Sequence, residues 1–266
     1  MDVARATFEA VLQTVRVADQ QKLAEQRERA LSRAQQWRQR LKPKQLHAAL
    51  QRGIFLRMVR QDTDIGYMQV DQYTTEVDKT PGVRVDVKLR MQVETTAVRS
   101  VAHFFVADDG RSEYWSTRIE RLESADPHQP QPKSTAYVTT GIRTGRQLQI
   151  AHDGPTGHTA QTLETPPIGY LSQVEALLLP QILPREQPAT FSFYWYHAER
   201  DRITLRTDQV TPTVTGYVVA SRPSPNEPEQ QTTCDGQGKV TAKRLAGGIR
   251  ILPTDAATIQ RLWRGR

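Results

Sequence analysis

The sequence predicts a mainly β protein with flanking helices, in which a long curved antiparallel meander forms a half-barrel or a two-sheet structure. Apolar and polar residues alternate without a fault from Val83 to Val93, which is typical of a strand with one dry and one wet face. Similar segments follow one another with short turns between them, as antiparallel pairs allow and parallel pairs do not. An N-terminal helix and a short inserted helix are expected to cover the sheet.

The chain begins with a basic helical arm, which we assign to residues 1–44. Residues 2–42 contain no proline or glycine and are rich in helix-forming residues. Trp37 and Leu41 continue a narrow apolar stripe, which predicts that the later part of this helix docks on the sheet. A coiled coil with another chain is the alternative.

The positive charge of the protein is concentrated in this arm and the first strand. Residues 1–60 hold 13 Lys and Arg against 5 Asp and Glu, whereas the net charge of the whole chain is +7. Interleaved Gln and Glu residues favour a face that is solvated or that contacts a protein, with an anionic membrane surface as a weaker alternative. Nucleic acid is not the expected partner. The basic residues concerned are Arg27, Arg29, Arg33, Arg38, Arg40, Lys42 and Lys44.

An antiparallel β domain is predicted over residues 45–252, starting with a strand at Ile54. The Asp109–Gly110 step indicates a hairpin. A change of phase within Ile65–Val77 predicts a β-bulge near Asp71. The expected strands of the first series are Ile54–Arg60, Ile65–Val77, Val83–Val93, Val98–Val106, Glu113–Leu122, Thr135–Ile142, Gln147–Ala151 and His158–Leu163.

A helical insertion interrupts the strands near residues 169–182. Ser172 and Glu175 have the spacing of a capping box, and Pro180 is expected to end the helix. Thr254 or Asp255 is expected to cap a C-terminal helix in residues 253–266. The strands predicted between the two helices are Thr190–Tyr196, Ile203–Val210, Val214–Ala220, Gln231–Cys234, Lys239–Leu245 and Gly248–Leu252.

This order of elements resembles the LolA/LolB-like half-barrel of bacterial lipoprotein carriers. The resemblance covers roughly residues 45–252: a meander beginning near Ile54, an apolar helix at Leu171–Leu179, and further strands that include a turn-rich pair at Thr233–Val240. It is a likeness of topology without a diagnostic motif. It implies a concave face that carries acyl chains, while the basic arm lies outside the pattern.

The search for catalytic motifs is negative, so we predict no enzyme, no catalytic residue, no metal site and no cofactor. The chain contains no GxSxG, HExxH, GxxxxGK[ST], GxGxxG or paired CxxC sequence. His152, Asp153 and His158 share one turn and are interpreted as a polar loop rather than a metal or acid–base site. His103 is interpreted as a core-edge residue, and Cys234 as an inert thiol.

The leading functional hypothesis is a non-enzymatic binding or interaction domain, with an apolar, lipid-like ligand in its concave face. An aromatic strand, a Leu-rich insertion and the dry face of the strand Val83–Val93 suit such a ligand. The alternative is a structural or assembly module whose basic N-terminal helix, within residues 2–42, docks on a partner protein or an anionic surface. The candidate ligand-binding residues are Phe191, Phe193, Trp195, Leu171, Leu177, Leu178, Val87, Leu89 and Met91.

The compartment is left open by the sequence. No apolar run approaches the roughly 20 residues of a membrane span. The residues after Met1 lack the features of an export signal, so the chain as written reads as cytoplasmic. A periplasmic or envelope location is expected instead if the true N-terminus is missing.

Overall fold

A computed structural model describes residues 20–93, 96–123 and 134–264, and these form one continuous sheet with helices packed against it. The strand order is β8-β7-β6-β5-β4-β3-β2-β1-β15-β14-β13-β12-β11-β10-β9. The strands are β1 Ile54–Arg60, β2 Thr63–Val77, β3 Thr80–Val93, β4 Thr96–Ala107, β5 Ser112–Glu123, β6 Ser134–Thr144, β7 Gln147–Gly154, β8 Gly157–Glu164, β9 Tyr170–Leu171, β10 Ala189–His197, β11 Arg202–Pro212, β12 Gly216–Arg222, β13 Gln230–Asp235, β14 Val240–Arg244 and β15 Ile249–Thr254.

The antiparallel meander that the alternation predicts is confirmed. Sequential neighbours pair antiparallel from β1 to β8 and again from β10 to β15, and β1 pairs with β15 in the middle of the sheet. The short β9 adds to β10 in parallel. Because all strands belong to one sheet, the unclosed half-barrel describes the protein and the two-sheet arrangement does not.

In the part of the chain that the structure describes, four α-helices accompany the sheet: α1 Gln20–Arg40, α2 Pro43–Ala48, α3 Gln173–Ile182 and α4 Ala256–Trp263. The predicted capping box of α3 is present, since the Ser172 side chain accepts from Glu175 N and the Glu175 side chain accepts from Ser172 N. Asp255 caps α4 by accepting from Thr258 N.

Two helices, α1 and α3, pack their apolar sides into the mouth of the curved sheet, by which we mean the open side of its concave face. Trp37 of α1 makes edge contacts with Phe191 and Phe193 of β10, at centroid distances of 6.3 and 5.7 Å. The opposite part of the mouth is filled by Val174 and Leu178 of α3, which pack with Val83, Val85 and Val106. The part of the concave face that α1 and α3 cover is therefore a packed core.

The two ends of the sheet overlap instead of pairing. Tyr196 points away from the Phe193 side of β10, yet it is fully buried, because its ring stacks on Trp115 of β5 at 5.3 Å. Leu148 and Ile150 of β7 complete this second contact. The sheet thus curls like a scroll, with β9 and β10 lying inside the turn made by β5 to β7.

The β-bulge expected near Asp71 is wrong. The register of β2 against β3 runs unbroken from Gly66 to Val77, so there is no bulge near Asp71; the irregularity lies between Met58 and Val59, opposite the start of β2. The change of phase arises because Gln72 occupies an inward, buried position. Its side-chain oxygen accepts from Gln51 N at 2.9 Å, which satisfies a polar group that an alternation pattern would not place there.

The inserted helix also differs from the prediction at both ends. Residues Tyr170–Leu171 form a strand, and α3 begins only at Gln173. Pro180 lies inside the helix, which ends at Ile182. Leu183 N still donates to Leu179 O at 3.1 Å, and Ala176 O, which the ring of Pro180 deprives of a backbone donor, accepts from Arg206 Nη1 at 3.4 Å.

Candidate functional site

The candidate site is the concave face beneath α3, which is only partly covered. In β3 the inward residues Val83 and Val85 are fully buried, whereas Val87, Leu89 and Met91 further along the same face are half-buried. The register carries this face onto β2, where Leu89 lies opposite Met68. An apolar wall therefore continues past the packed core and stays accessible to solvent.

The helix above this wall presents one large apolar side chain that is exposed. Leu177 is 42% exposed, although its neighbours Leu178 and Leu179 are fully buried. At about 100° per residue it lies on the side of α3 away from Glu175. Since Glu175 pairs with Arg38 of α1, Leu177 lies on the side of α3 away from that ion pair.

The residues proposed from sequence as ligand-binding fall into two groups. Phe191, Phe193, Leu171 and Leu178 are no more than 2% exposed and belong to the packed core. The other five, each at least partly accessible, are Trp195, Leu177, Val87, Leu89 and Met91. These five stay candidates for contact with a ligand.

A polar cluster lies on the opposite inner wall. Arg206 Nε and Nη2 each donate to Asp208 at 2.8 Å, and the Asp208 carboxylate also accepts from Ser221 Oγ. The Arg206 guanidinium lies 5.4 Å from the centre of the Trp195 ring. Lys243 of β14 lies near this pair, and burial together with Arg206 lowers the pKa of its amine to about 8.

A second buried network joins α3 to the outer turn of the scroll. Glu113 Oε1 accepts from Arg143 Nε at 2.9 Å and from Tyr170 Oη at 2.8 Å, and Glu113 Oε2 accepts from Gln173 N at 3.0 Å. Burial raises the pKa of Glu113 and Arg143 opposes that rise. Every group here has a partner, so the network is a structural anchor.

The histidines are dispersed over the molecule. His103 lies on the outer face of β4 and pairs with Asp86 at 2.7 Å, so its interpretation as a core-edge residue is wrong. His158 pairs with Asp153 on the exposed turn, while His152 lies 2.9 Å from Asp201. Across the described ranges, no group of three His, Cys, Asp or Glu side chains could hold a metal ion.

Cys234 is a buried free thiol in the core beneath α3. Burial raises its pKa to about 11, so the thiol stays protonated at neutral pH. Its environment therefore agrees with the inert thiol that the sequence suggests.

A cleft of about 330 Å³ lies on the other side of α1, near the β4–β5 turn. Three of its charged lining residues are already paired within the protein: Arg38 pairs with Glu175 at 3.2 Å, and Asp108 pairs with His47 at 2.8 Å. A smaller cleft of about 200 Å³ lies between α1, α2 and the end of α3. Neither cleft opens onto the candidate wall beneath Leu177.

Sequence reasoning missed the inward charges because they interrupt an apolar alternation. Arg206 and Asp208 share the parity of Val210 in β11, and Glu113 shares that of Trp115 in β5. The available signal was this parity: charged residues at positions that the pattern assigns to the inner face. Their partners lie on other strands and become visible only with the register.

Comparison with known proteins identifies no family for the chain. No protein-family model matches it, and no curated protein matches it. Among solved structures, the chain is similar to a beta-barrel-like protein of the domain of unknown function DUF1849 from Brucella abortus, at 10% identity and a TM-score of 0.44, over 77% of this chain and 98% of that one. In the described part of the chain, no helix has the length and apolar character to cross a membrane.

Proposed function

We propose that this protein is a non-enzymatic binding domain that holds an apolar, lipid-like ligand in the concave face of its curved sheet. The observation that carries the proposal is the half-buried inner wall at Val87, Leu89 and Met91, together with the exposed Leu177 of α3. Contiguous apolar surface left open inside a concave face is characteristic of ligand grooves.

The likeness to LolA/LolB-like carriers supports the same proposal. Those half-barrels carry acyl chains in their concave face, and this chain has a similar order of elements, with the apolar helix α3 after a long meander. More specifically, we propose that the protein carries a lipid within a bacterial envelope. We also propose that the chain is divided into a basic arm, a β domain at residues 45–252 and a C-terminal helix.

The test places the same charge on opposite faces of β3. Leu89→Glu puts a carboxylate on the inner wall, whereas the control Lys88→Glu puts it on the outer face, one residue away. We expect Leu89→Glu to weaken binding of the apolar probe N-phenyl-1-naphthylamine by about tenfold or more, because the carboxylate must lose water beside the ligand. Lys88→Glu should bind as the wild type does.

Native mass spectrometry and lipid extraction of the purified wild-type protein accompany this measurement. A co-purified apolar molecule, displaced by the probe, supports the proposal. Absence of both probe binding and bound lipid in the wild type, or equal losses in the two variants, contradicts it.

The second candidate function is an assembly module that docks through the N-terminal helix. It is favoured by one observation: every residue of α1 from Gln20 to Arg29 is exposed, and packing starts only at Ala30. A truncation that removes residues 1–29 separates the two functions without touching Trp37 in the core. Loss of self-association or partner binding with unchanged probe binding supports this second function.

A further inference from the structure

Resting on the proposed function, we propose that the ligand is a single-chain amphiphile with a carboxylate head, and that the head group pairs with Lys243 on the inner wall. The inference follows from three features of the concave face: the position of Lys243, the charge balance around it, and the apolar surface that continues from it.

Lys243 is an inward position of β14. The register pairs it with Thr232 of β13 on one side and with Ile251 of β15 on the other, and both partners are buried. Thr232 lies in turn opposite Val219 of β12, a fully buried member of the core beneath α3. Lys243 therefore enters the same interior as the apolar wall.

The surrounding protein leaves the charge of Lys243 uncompensated. The nearest carboxylate, Asp208, is already held by Arg206 at 2.8 Å through two nitrogens and by Ser221. Within the described chain, no ion pair or hydrogen bond joins the Lys243 amine to a protein acceptor. A half-buried cation without a partner is unfavourable, so an anion supplied by the ligand would be bound favourably.

The apolar surface begins beside Lys243 and leads to the candidate wall. Ile251 pairs with Met58 of β1, Met58 with Gly66 of β2, and Gly66 with Met91 of β3. This path crosses from β14 to β3, about 19 Å at the usual spacing between strands. A long alkyl chain whose head stays at Lys243 spans this distance, and it reaches the half-buried Met91 by displacing the side chains that cover the buried Ile251 and Met58.

The chemistry of the head group follows from the donors that remain free. Lys243 is a compact point charge, and the fork of Arg206 is occupied by Asp208. A phosphate presents three oxygens that call for several charged donors, whereas a carboxylate can be held by one ammonium group. We therefore assign a carboxylate.

The test compares three ligands that share one chain: dodecanoate, dodecanol and dodecyl phosphate, each measured by displacement of N-phenyl-1-naphthylamine from the full chain. We expect the wild type to bind dodecanoate at least about tenfold more tightly than dodecanol, a difference of one charge pair. Lys243→Met should abolish that preference and leave dodecanol binding unchanged. Lys243→Arg, which keeps the charge, should retain it.

A thermal melt of each variant separates binding from folding. Lys243→Met is expected to melt no lower than the wild type at pH 7, because it removes an unpaired half-buried charge. Equal wild-type affinity for dodecanoate and dodecanol, or a preference that survives in Lys243→Met, overturns the head-group inference while the apolar site stands. Tighter binding of dodecyl phosphate overturns the assignment of a carboxylate. Failure of the probe and all three ligands to bind contradicts the proposed function itself.

Discussion

The buried side chain of Arg143 connects parts of the protein that strand pairing does not join. Arg143 is 5% exposed and serves several acceptors at once: besides Glu113, it donates to the backbone oxygens of Gly110, Arg111 and Gly145. Its guanidinium also lies 5.1 Å from the centre of the Tyr170 ring. One side chain therefore ties two turns of the outer strands to the start of the inserted helix.

Arg143→Met is expected to destabilise the fold strongly, because it leaves Glu113 buried without its cation and removes one donor from each of three backbone carbonyls. Breaking one member of a buried pair costs about 3–5 kcal/mol. The control is Arg118→Met, which removes the exposed pair between Arg118 and Glu120 and should cost about 1 kcal/mol or less. Urea unfolding measures both. Similar losses for the two variants would show that the network is not an anchor.

At the scale of elements, the overlap of the scroll depends on a place where one strand lacks a side chain. Gly141 of β6 lies opposite both Trp115 and Ile150. A Cβ at this position would collide with the indole ring of Trp115, which lies directly over the glycine. Since Trp115 in turn stacks on Tyr196, the missing Cβ allows β10 to lie against β5.

Gly141→Ala is expected to lower the free energy of unfolding by about 1–3 kcal/mol, because Trp115 must move within a packed contact. Gly236→Ala is the matched control, since nothing lies within 4 Å of the Cβ that it would add. Near-ultraviolet circular dichroism, which reports the Trp115–Tyr196 stack, should change in Gly141→Ala alone. An unaltered aromatic signal with unaltered stability would contradict this account of the overlap.

At the scale of the whole molecule, the two ends of the sheet are held together by a polar latch. Asp201, in the turn between β10 and β11, accepts from Tyr196 Oη at 2.6 Å and lies 2.9 Å from His152 Nε2 of β7. Its backbone oxygen also accepts from Gln161 of β8. Burial acts to raise the pKa of Asp201, but these hydrogen bonds outweigh it and the pKa is lowered.

The lowered pKa of Asp201 sets the direction of an acid effect. A carboxyl group with a depressed folded-state pKa stabilises the protein above its unfolded-state pKa, and that contribution is lost as the pH falls through the folded-state value. We expect the free energy of unfolding to decline below about pH 4, with a shallower decline in Asp201→Asn. Asp153→Asn, on the exposed turn beside His158, should keep the wild-type slope. Denaturant titrations from pH 3 to pH 7 measure the slopes, and identical profiles for wild type and Asp201→Asn would exclude the latch.

Much of the architecture was predictable from sequence, because alternation reports a strand with two different faces. Val83–Val93 fulfils this condition, and the inward parity expected for Val87 and Leu89 is the one that the register shows. The capping box at Ser172 was readable for a similar reason: its bonds join residues three apart. Local patterns carry local structure.

The rest depends on contacts between residues far apart in sequence. Nothing near Gln72 indicates that Gln51 will satisfy it, so its inward position was mistaken for a bulge. Likewise, Phe193 is fully buried and Trp195, two residues further on the same face, is half-buried; the ring of Trp37 contacts Phe193, whereas the guanidinium of Arg206 lies over Trp195. The candidate site begins where α3 stops covering β3. The alternation of apolar and polar residues along a strand does not show where a helix will cover it.

The position of β1 beside β15 has a consequence for how the sheet assembles. Every other antiparallel pairing joins strands that follow one another in the chain, so the two halves, β1 to β8 and β10 to β15, can each form through short-range hairpins. The pairing of Met58 with Ile251 instead requires the closure of a loop that spans most of the chain. Joining of the halves at this central seam is therefore the slow step expected in folding, and mutations at the seam should slow refolding more than equally destabilising mutations in the outer hairpins.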